Sequence, residues 1–151
     1  MTGPSKRQTS SEFFKKLFLL AIGGGVAFWA TTVATSLLPI AAAYRAAYSN
    51  WSMQTVWVAS LPMGIIIGCC VSYCMLRFFN KIPTHKPILK AAILSVIALV
   101  IVTFLIPVPP GFHGAGDAWY YFFIGVIFNA ARFLLLGIVI GYLYKKLYLS
   151  A

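Results

Sequence analysis

The chain has 151 residues, of which 61% are hydrophobic and 9% are charged. A soluble globular domain is about a quarter charged, so this composition excludes an ordinary soluble fold and indicates a membrane protein. The formal net charge of +10 comes from 12 basic and 2 acidic residues. Whether it indicates nucleic-acid binding depends on where the basic residues lie.

Four long apolar stretches predict four transmembrane helices. About 20 apolar residues cross the roughly 30 Å hydrocarbon core of a bilayer. The stretches cover about 17–43, 55–79, 88–106 and 119–144. Lipid offers no hydrogen bonds to the backbone, and apolar runs without two-residue alternation exclude a barrel. We therefore expect an all-α integral membrane protein, a bundle of four transmembrane helices with short connections.

The first helix is expected to begin before it enters the membrane. Thr9 and Glu12 form the Thr-x-x-Glu pattern of a capping box, ahead of the apolar stretch that starts at Leu17. That stretch is longer than the roughly 7 to 15 apolar residues of a cleaved signal peptide. The expected organisation is a basic N-terminal segment, one transmembrane domain and a short tail, covering 1–16, 17–146 and 147–151.

The basic residues predict the orientation. An even number of crossings puts the N-terminal segment, the connection between the second and third helices, and the tail on one side. Arg45 alone lies on the other side and Arg132 lies within the membrane, while the remaining basic residues share the first side. These are Lys6, Arg7, Lys15, Lys16, Arg77, Lys81, Lys86, Lys90, Lys145 and Lys146. By the positive-inside rule both termini are cytoplasmic.

Topology thus accounts for the basic charge, so we expect no nucleic-acid partner and expect anionic lipids at the cytoplasmic face. Aromatic residues at both predicted interfaces agree with four crossings. They are Tyr44, Tyr48, Trp51, Trp57, Trp119, Tyr120 and Tyr121 outside, and Tyr142, Tyr144 and Tyr148 inside. In a prokaryote such a multi-pass protein would lie in the inner, cytoplasmic membrane.

Missing residues argue against several activities. The two carboxylates, Glu12 and Asp117, and the two histidines, His85 and His113, all lie outside the predicted spans. Proton-coupled transport needs a titratable group inside the membrane, and a membrane haem needs axial histidines there. Neither an HExxH motif nor a nucleophile paired with a base is visible. We expect no enzyme, no metal and no cofactor.

Cys69, Cys70 and Cys74 lie together on the second helix. They form no C-x-x-C motif, and no histidine is close in sequence. We interpret them as small apolar side chains that pack within the helix.

Two G-x-x-x-G patterns favour close packing of helices. Gly64 and Gly68 form one on the second helix, and Gly137 and Gly141 form the other on the fourth. Such patterns let two backbones approach closely. They leave two alternatives open, namely packing within the chain and contact with another subunit.

Arg132 lies near the middle of the fourth helix, where an arginine costs about 2.5 to 3.5 kcal/mol. Its side chain should lean toward the start of that helix, with Asn129 one turn before it and Gly125 two turns before it on nearly the same face. The Thr35 carbonyl lies at a reachable depth, and Pro39 frees it because proline has no N–H to donate. We expect Arg132 to make buried polar contacts at this level.

Three roles for Arg132 stay open. In the first, it donates to carbonyls and hydroxyls of the first two helices and locks the bundle. In the second, it pairs with an acidic or phosphate-bearing partner, so the protein is an accessory, assembly or scaffold subunit of a membrane complex. In the third, Arg132 and Asn129 line the anion or small-solute pathway of a homo-oligomeric channel or transporter. The expected partners are therefore other membrane subunits or further copies of this chain.

Overall fold

The computed structural model describes residues 10–48, 51–105 and 117–149. Of these residues 92% are helical and none lies in a strand. The helices are α1 (Ser10–Ser36), α2 (Pro39–Tyr48), α3 (Met53–Phe78), α4 (Pro87–Leu105) and α5 (Ala118–Tyr144). All but α2 are long and apolar enough to cross a membrane. The all-α prediction is confirmed for these ranges, and the four long helices indicate an integral membrane protein.

The first predicted helix, 17–43, is wrong in one respect, because it is two helices. α1 ends at Ser36, and α2 begins at Pro39. Proline lacks an N–H and clashes with the preceding turn, so it ends one helix and suits the first position of the next. In the two-residue turn between them, the Leu38 N–H donates to the Thr35 carbonyl at 3.3 Å. The carbonyl that we expected Pro39 to free is therefore occupied by the backbone.

The ends of α3, α4 and α5 lie within two residues of those predicted for the second, third and fourth helices. α1 begins at Ser10 with Glu12 in its first turn, ahead of the apolar stretch. Short irregular helical turns follow α3 and α5, over Phe79–Lys81 and Lys145–Leu149. Lys6, Arg7, Thr9 and His113, and the predicted end of the third helix at 106, lie outside the described ranges.

α1 and α5 form the centre of the bundle. α1 packs against α3 on one side and α5 on the other, and α5 also packs against α4. Leu20 and Phe28 of α1 are buried, as are Phe133 and Leu136 of α5. The Phe28 and Phe133 rings meet edge to face with centroids 5.7 Å apart. The long helices therefore follow one another around the bundle in the order α3, α1, α5, α4, and α3 also contacts α4.

One end of the bundle, which we call the basic end, comprises the starts of α1 and α4 and the ends of α3 and α5. Lys90 differs from the other lysines at this end because it is buried. Its ammonium donates to the Phe79 carbonyl and lies 3.7 Å from the centroid of the Phe79 ring. That ring stacks on Tyr144 at 4.9 Å. Lys90 is thus no solvated flanking charge, since it joins the end of α3 to α4 and α5.

At the opposite end, two tryptophans join α1 to α3. Trp57 Nε1 donates to Ser36 Oγ at 2.7 Å, and Trp29 Nε1 donates to the Trp57 carbonyl at 3.1 Å. Arg45 of α2 donates from Nη1 to the Ser36 carbonyl at 3.4 Å. Trp57, which we interpreted as part of an aromatic belt, therefore also makes a contact between helices.

Candidate functional site

Arg132 lies near the middle of α5, on the face that packs against α1. Leu136 and Ile140, about one and two turns after it, are fully buried and lie against Gly24 of α1. Because helical side chains lean toward the N-terminus of their helix, the guanidinium points away from the basic end. It reaches the level at which α1 ends.

Two hydrogen bonds engage the guanidinium. Nη1 donates to Asn129 Oδ1 at 3.2 Å, and Nη2 donates to Thr35 Oγ1 at 3.4 Å. Both distances lie at or beyond the usual upper limit of about 3.2 Å, so these bonds are weak. The buried Nε has no hydrogen-bond partner among the described residues. At least one of the five N–H donors of a guanidinium is therefore unsatisfied here.

The structure brings Arg132, Asn129 and Thr35 together, but through a different atom of Thr35 than expected. The Thr35 hydroxyl donates back to the Thr31 carbonyl at 2.8 Å. Its oxygen still has a lone pair, and this accepts from Arg132. The contact thus uses the Thr35 side chain, because the Thr35 carbonyl accepts from the turn that ends α1.

Tyr44 of α2 lies beside this cluster, and sequence analysis missed it. A Cβ on Gly125 would lie 2.6 Å from the Tyr44 hydroxyl oxygen, and the Tyr44 ring packs edge-on to Phe128 at 5.9 Å. Burial raises the pKa of Tyr44 above its ordinary value. The nearby Arg132 charge lowers this pKa, but by a smaller amount than burial raises it. Tyr44 lies outside the four candidate spans. Because its pKa is raised, its phenol stays neutral at physiological pH and is not a counter-ion to Arg132. The small residue at Gly125 was the available signal.

Neither of the two acidic side chains, Glu12 and Asp117, lies near Arg132. Glu12 is in the first turn of α1, and Asp117 directly precedes α5. Asp117 lies fifteen residues before Arg132, about 22 Å along a helix. Glu12 lies twenty-three residues before Thr35, which contacts Arg132, so it is about 35 Å away along α1. Among the described residues, the guanidinium is therefore hydrogen-bonded to neutral groups and is not neutralised by a carboxylate.

Both G-x-x-x-G patterns lie in contacts between helices of this chain. A Cβ on Gly64 would lie 2.9 Å from the Gly25 carbonyl oxygen, and one on Gly68 would lie 2.7 Å from that of Ala21. The second pattern faces α4. A Cβ on Gly137 or on Gly141 would lie 2.9 Å from a carbonyl oxygen there, of Ala91 and Pro87 respectively. These glycine faces are covered within the single chain.

The cysteines on α3 are free thiols, with Cys70 exposed and Cys69 and Cys74 half buried. Within the described residues, no group of three or more His, Cys, Asp or Glu side chains is placed to hold a metal ion. The site at Arg132 therefore offers hydrogen-bond donors and positive charge rather than a nucleophile or metal ligands.

Comparison with protein-family models, curated proteins and solved structures produced no match for this chain.

Proposed function

We propose that the protein is a non-enzymatic multi-pass subunit of a membrane complex, in which Arg132 pairs with an acidic side chain of another membrane protein. Its role is in assembly or scaffolding. The observation that carries this proposal is an arginine in mid-helix with weak neutral partners. Among the described residues its Nε has no partner, and the acidic side chains Glu12 and Asp117 lie far from it.

The basic end faces the cytoplasm in this proposal. Lysine and arginine concentrate on the cytoplasmic side of membrane proteins, and the described basic side chains, apart from Arg45 and Arg132, lie at the basic end. Both termini are then cytoplasmic, and the lysines meet anionic headgroups. In a prokaryote the membrane is the inner one.

A carboxylate would complete the Arg132 site chemically. Hydrogen bonds between a guanidinium and a carboxylate are roughly twice as strong as neutral ones and are often bidentate. A carboxylate placed beside Nε and a neighbouring Nη nitrogen would use the donor that has no partner among the described residues. Because an unpaired charge in the membrane is costly, this pairing favours association with an acidic helix.

The surroundings of Arg132 favour a partner that approaches from within the membrane. On the side away from the basic end, α2 covers α5 with Tyr44, which lies against Gly125 and Phe128. About one turn after Arg132, however, Leu135 is 44% exposed. A second helix that packs on this uncovered apolar face of α5 would lie beside the guanidinium.

A homo-oligomeric anion or small-solute channel or transporter is the second candidate. Asn129 accepts from Arg132 with Oδ1, which leaves its Nδ2 amide to donate to an anion beside the guanidinium. Four helices are few to enclose a solute pathway within one chain, so several copies of the chain would be needed to complete it. This hypothesis differs from the first because it requires a transported solute and no subunit other than copies of this chain.

The test compares Arg132→Gln with Arg77→Gln. Arg77 is exposed at the end of α3, so the control removes the same charge away from the site. Tagged protein is extracted from its native membrane in a mild detergent, and co-purifying proteins are quantified by mass spectrometry. Breaking a buried ion pair costs about 3 to 5 kcal/mol, so we expect Arg132→Gln to lose the partner at least tenfold and Arg77→Gln to retain it.

Other outcomes contradict this proposal in distinct ways. If the partner stays with Arg132→Gln while anion flux in liposomes falls, Arg132 serves the channel candidate. If the partner and flux are both unchanged while thermal stability falls, Arg132 is only an internal lock of the bundle.

A further inference from the structure

A groove lies on the surface of the bundle at the basic end, away from Arg132. Its volume is about 370 Å³. The lining consists of Phe14, Lys15, Leu17 and Phe18 from α1 and Cys69 from α3. The groove thus combines apolar walls with a single basic side chain.

The walls suit a hydrocarbon chain. Phe14 and Phe18 lie one turn apart, so they line the same face of α1, and each is 64% exposed. Cys69 forms the α3 side of the groove and is half buried. An acyl chain that lay along α1 would contact both phenylalanine rings and the thiol.

Lys15 provides the charge complementarity. Its side chain is exposed and lines the groove. Its neighbour Lys16 behaves differently, because the Lys16 ammonium lies over the Tyr148 ring, 4.7 Å from the centroid. Of these two adjacent lysines, only Lys15 lines the groove, and it does so mainly with its aliphatic stem.

We propose that this groove binds one anionic phospholipid, with an acyl chain against Phe14 and Phe18 and the headgroup phosphate on Lys15. Basic pockets at the cytoplasmic ends of membrane helices bind anionic headgroups in this way. The proposal is independent of the role of Arg132. It requires only that the basic end lie in a leaflet that contains anionic lipid.

Native mass spectrometry of the full chain tests this site. The protein is equilibrated with equimolar phosphatidylglycerol and phosphatidylcholine of identical acyl chains, and the lipids that stay bound are counted. One basic residue at a membrane surface is worth about 1 kcal/mol, or roughly fivefold in affinity. We expect one retained phosphatidylglycerol with about a fivefold preference over phosphatidylcholine.

The matched variants are Lys15→Gln and Lys86→Gln. Lys86 is an exposed lysine at the same end of the bundle, outside the groove. Lys15→Gln should abolish the preference for the anionic lipid, and Lys86→Gln should keep it within twofold. A third variant, Cys69→Phe, should displace the retained lipid by filling the groove, with unchanged helical circular dichroism as the control for folding.

Three results would overturn the proposal. The first is a wild-type protein that retains no lipid, and the second is equal retention of both lipids. The third is an equal loss of preference in Lys15→Gln and Lys86→Gln, which would show that the attraction is spread over the whole basic end.

Discussion

Replacing Gly68 by alanine tests whether direct contact between the backbones of α1 and α3 holds the bundle together. The added Cβ would lie 2.7 Å from the Ala21 carbonyl oxygen and 3.3 Å from the Ala21 Cα. Both atoms belong to the α1 backbone, so relief of the clash requires α1 to shift. Overpacking of this kind costs about 1 to 3 kcal/mol.

Gly23→Ala is the matched control. Its added Cβ would meet Leu143 Cδ1, the end of a flexible side chain that can turn away. Alanine is also a better helix former than glycine by about 1 kcal/mol. Because that gain is common to both variants, the difference between Gly68→Ala and Gly23→Ala isolates the packing cost of about 1 to 3 kcal/mol.

The assay is thermal unfolding in detergent, followed by far-ultraviolet circular dichroism. For a chain of this size, 1 kcal/mol shifts Tm by about 2 to 4 °C. Gly68→Ala should therefore melt about 2 to 12 °C below Gly23→Ala. If Gly68→Ala melts at the same temperature or higher, the backbone contact between α1 and α3 is not what stabilises this pair of helices.

Three further changes probe other contacts. Thr35→Val keeps the side-chain shape but removes the acceptor for Arg132, so the free energy of unfolding should fall by about 1 kcal/mol; an unchanged value in the same unfolding assay would mean that the bond contributes nothing. Ser36→Ala leaves the Trp57 indole N–H without its acceptor, which should lower stability by about 1 to 3 kcal/mol and alter tryptophan emission. A reporter enzyme fused after residue 151 should be active on the cytoplasmic side, and activity on the other side would contradict the orientation.

The positions of the long helices are predictable because each apolar run has the length of a bilayer crossing. The break between α1 and α2 is harder to predict. Pro39 indicates a missing hydrogen bond, but a kink and a full turn are both compatible with that loss. The turn is stabilised because the Leu38 N–H donates to the Thr35 carbonyl. The chain then reverses enough for α2 to pack against α5.

The lateral arrangement of the helices is less visible in the sequence. Beyond Lys90, α4 is mostly apolar around its circumference, yet Ala91 and Ser95 are buried whereas Val100 is 48% exposed. In a membrane, lipid-facing and buried positions are equally apolar, so hydrophobic periodicity does not separate them. What distinguishes the buried face of α4 is small side chains that meet the glycines of α5.

The part of the Arg132 site that follows from the geometry of single helices was predictable from the sequence. Asn129 follows from its three-residue spacing, and Thr35 follows from its depth on α1. Tyr44 required knowledge of how α2 docks onto Gly125, which is a tertiary contact between residues distant in sequence. Local patterns thus identified the charge and two of its neighbours, while the third depended on the packed bundle.

Site-specific photocrosslinking beside Arg132 tests the central claim most directly. A photoreactive amino acid replaces Leu135, which is exposed about one turn from Arg132, and native membranes are irradiated before the crosslinked peptides are sequenced. We predict adducts with a transmembrane segment of another protein that contains Asp or Glu, and their loss when Arg132→Gln is added. Adducts with lipid or with other copies of this chain alone would contradict the account.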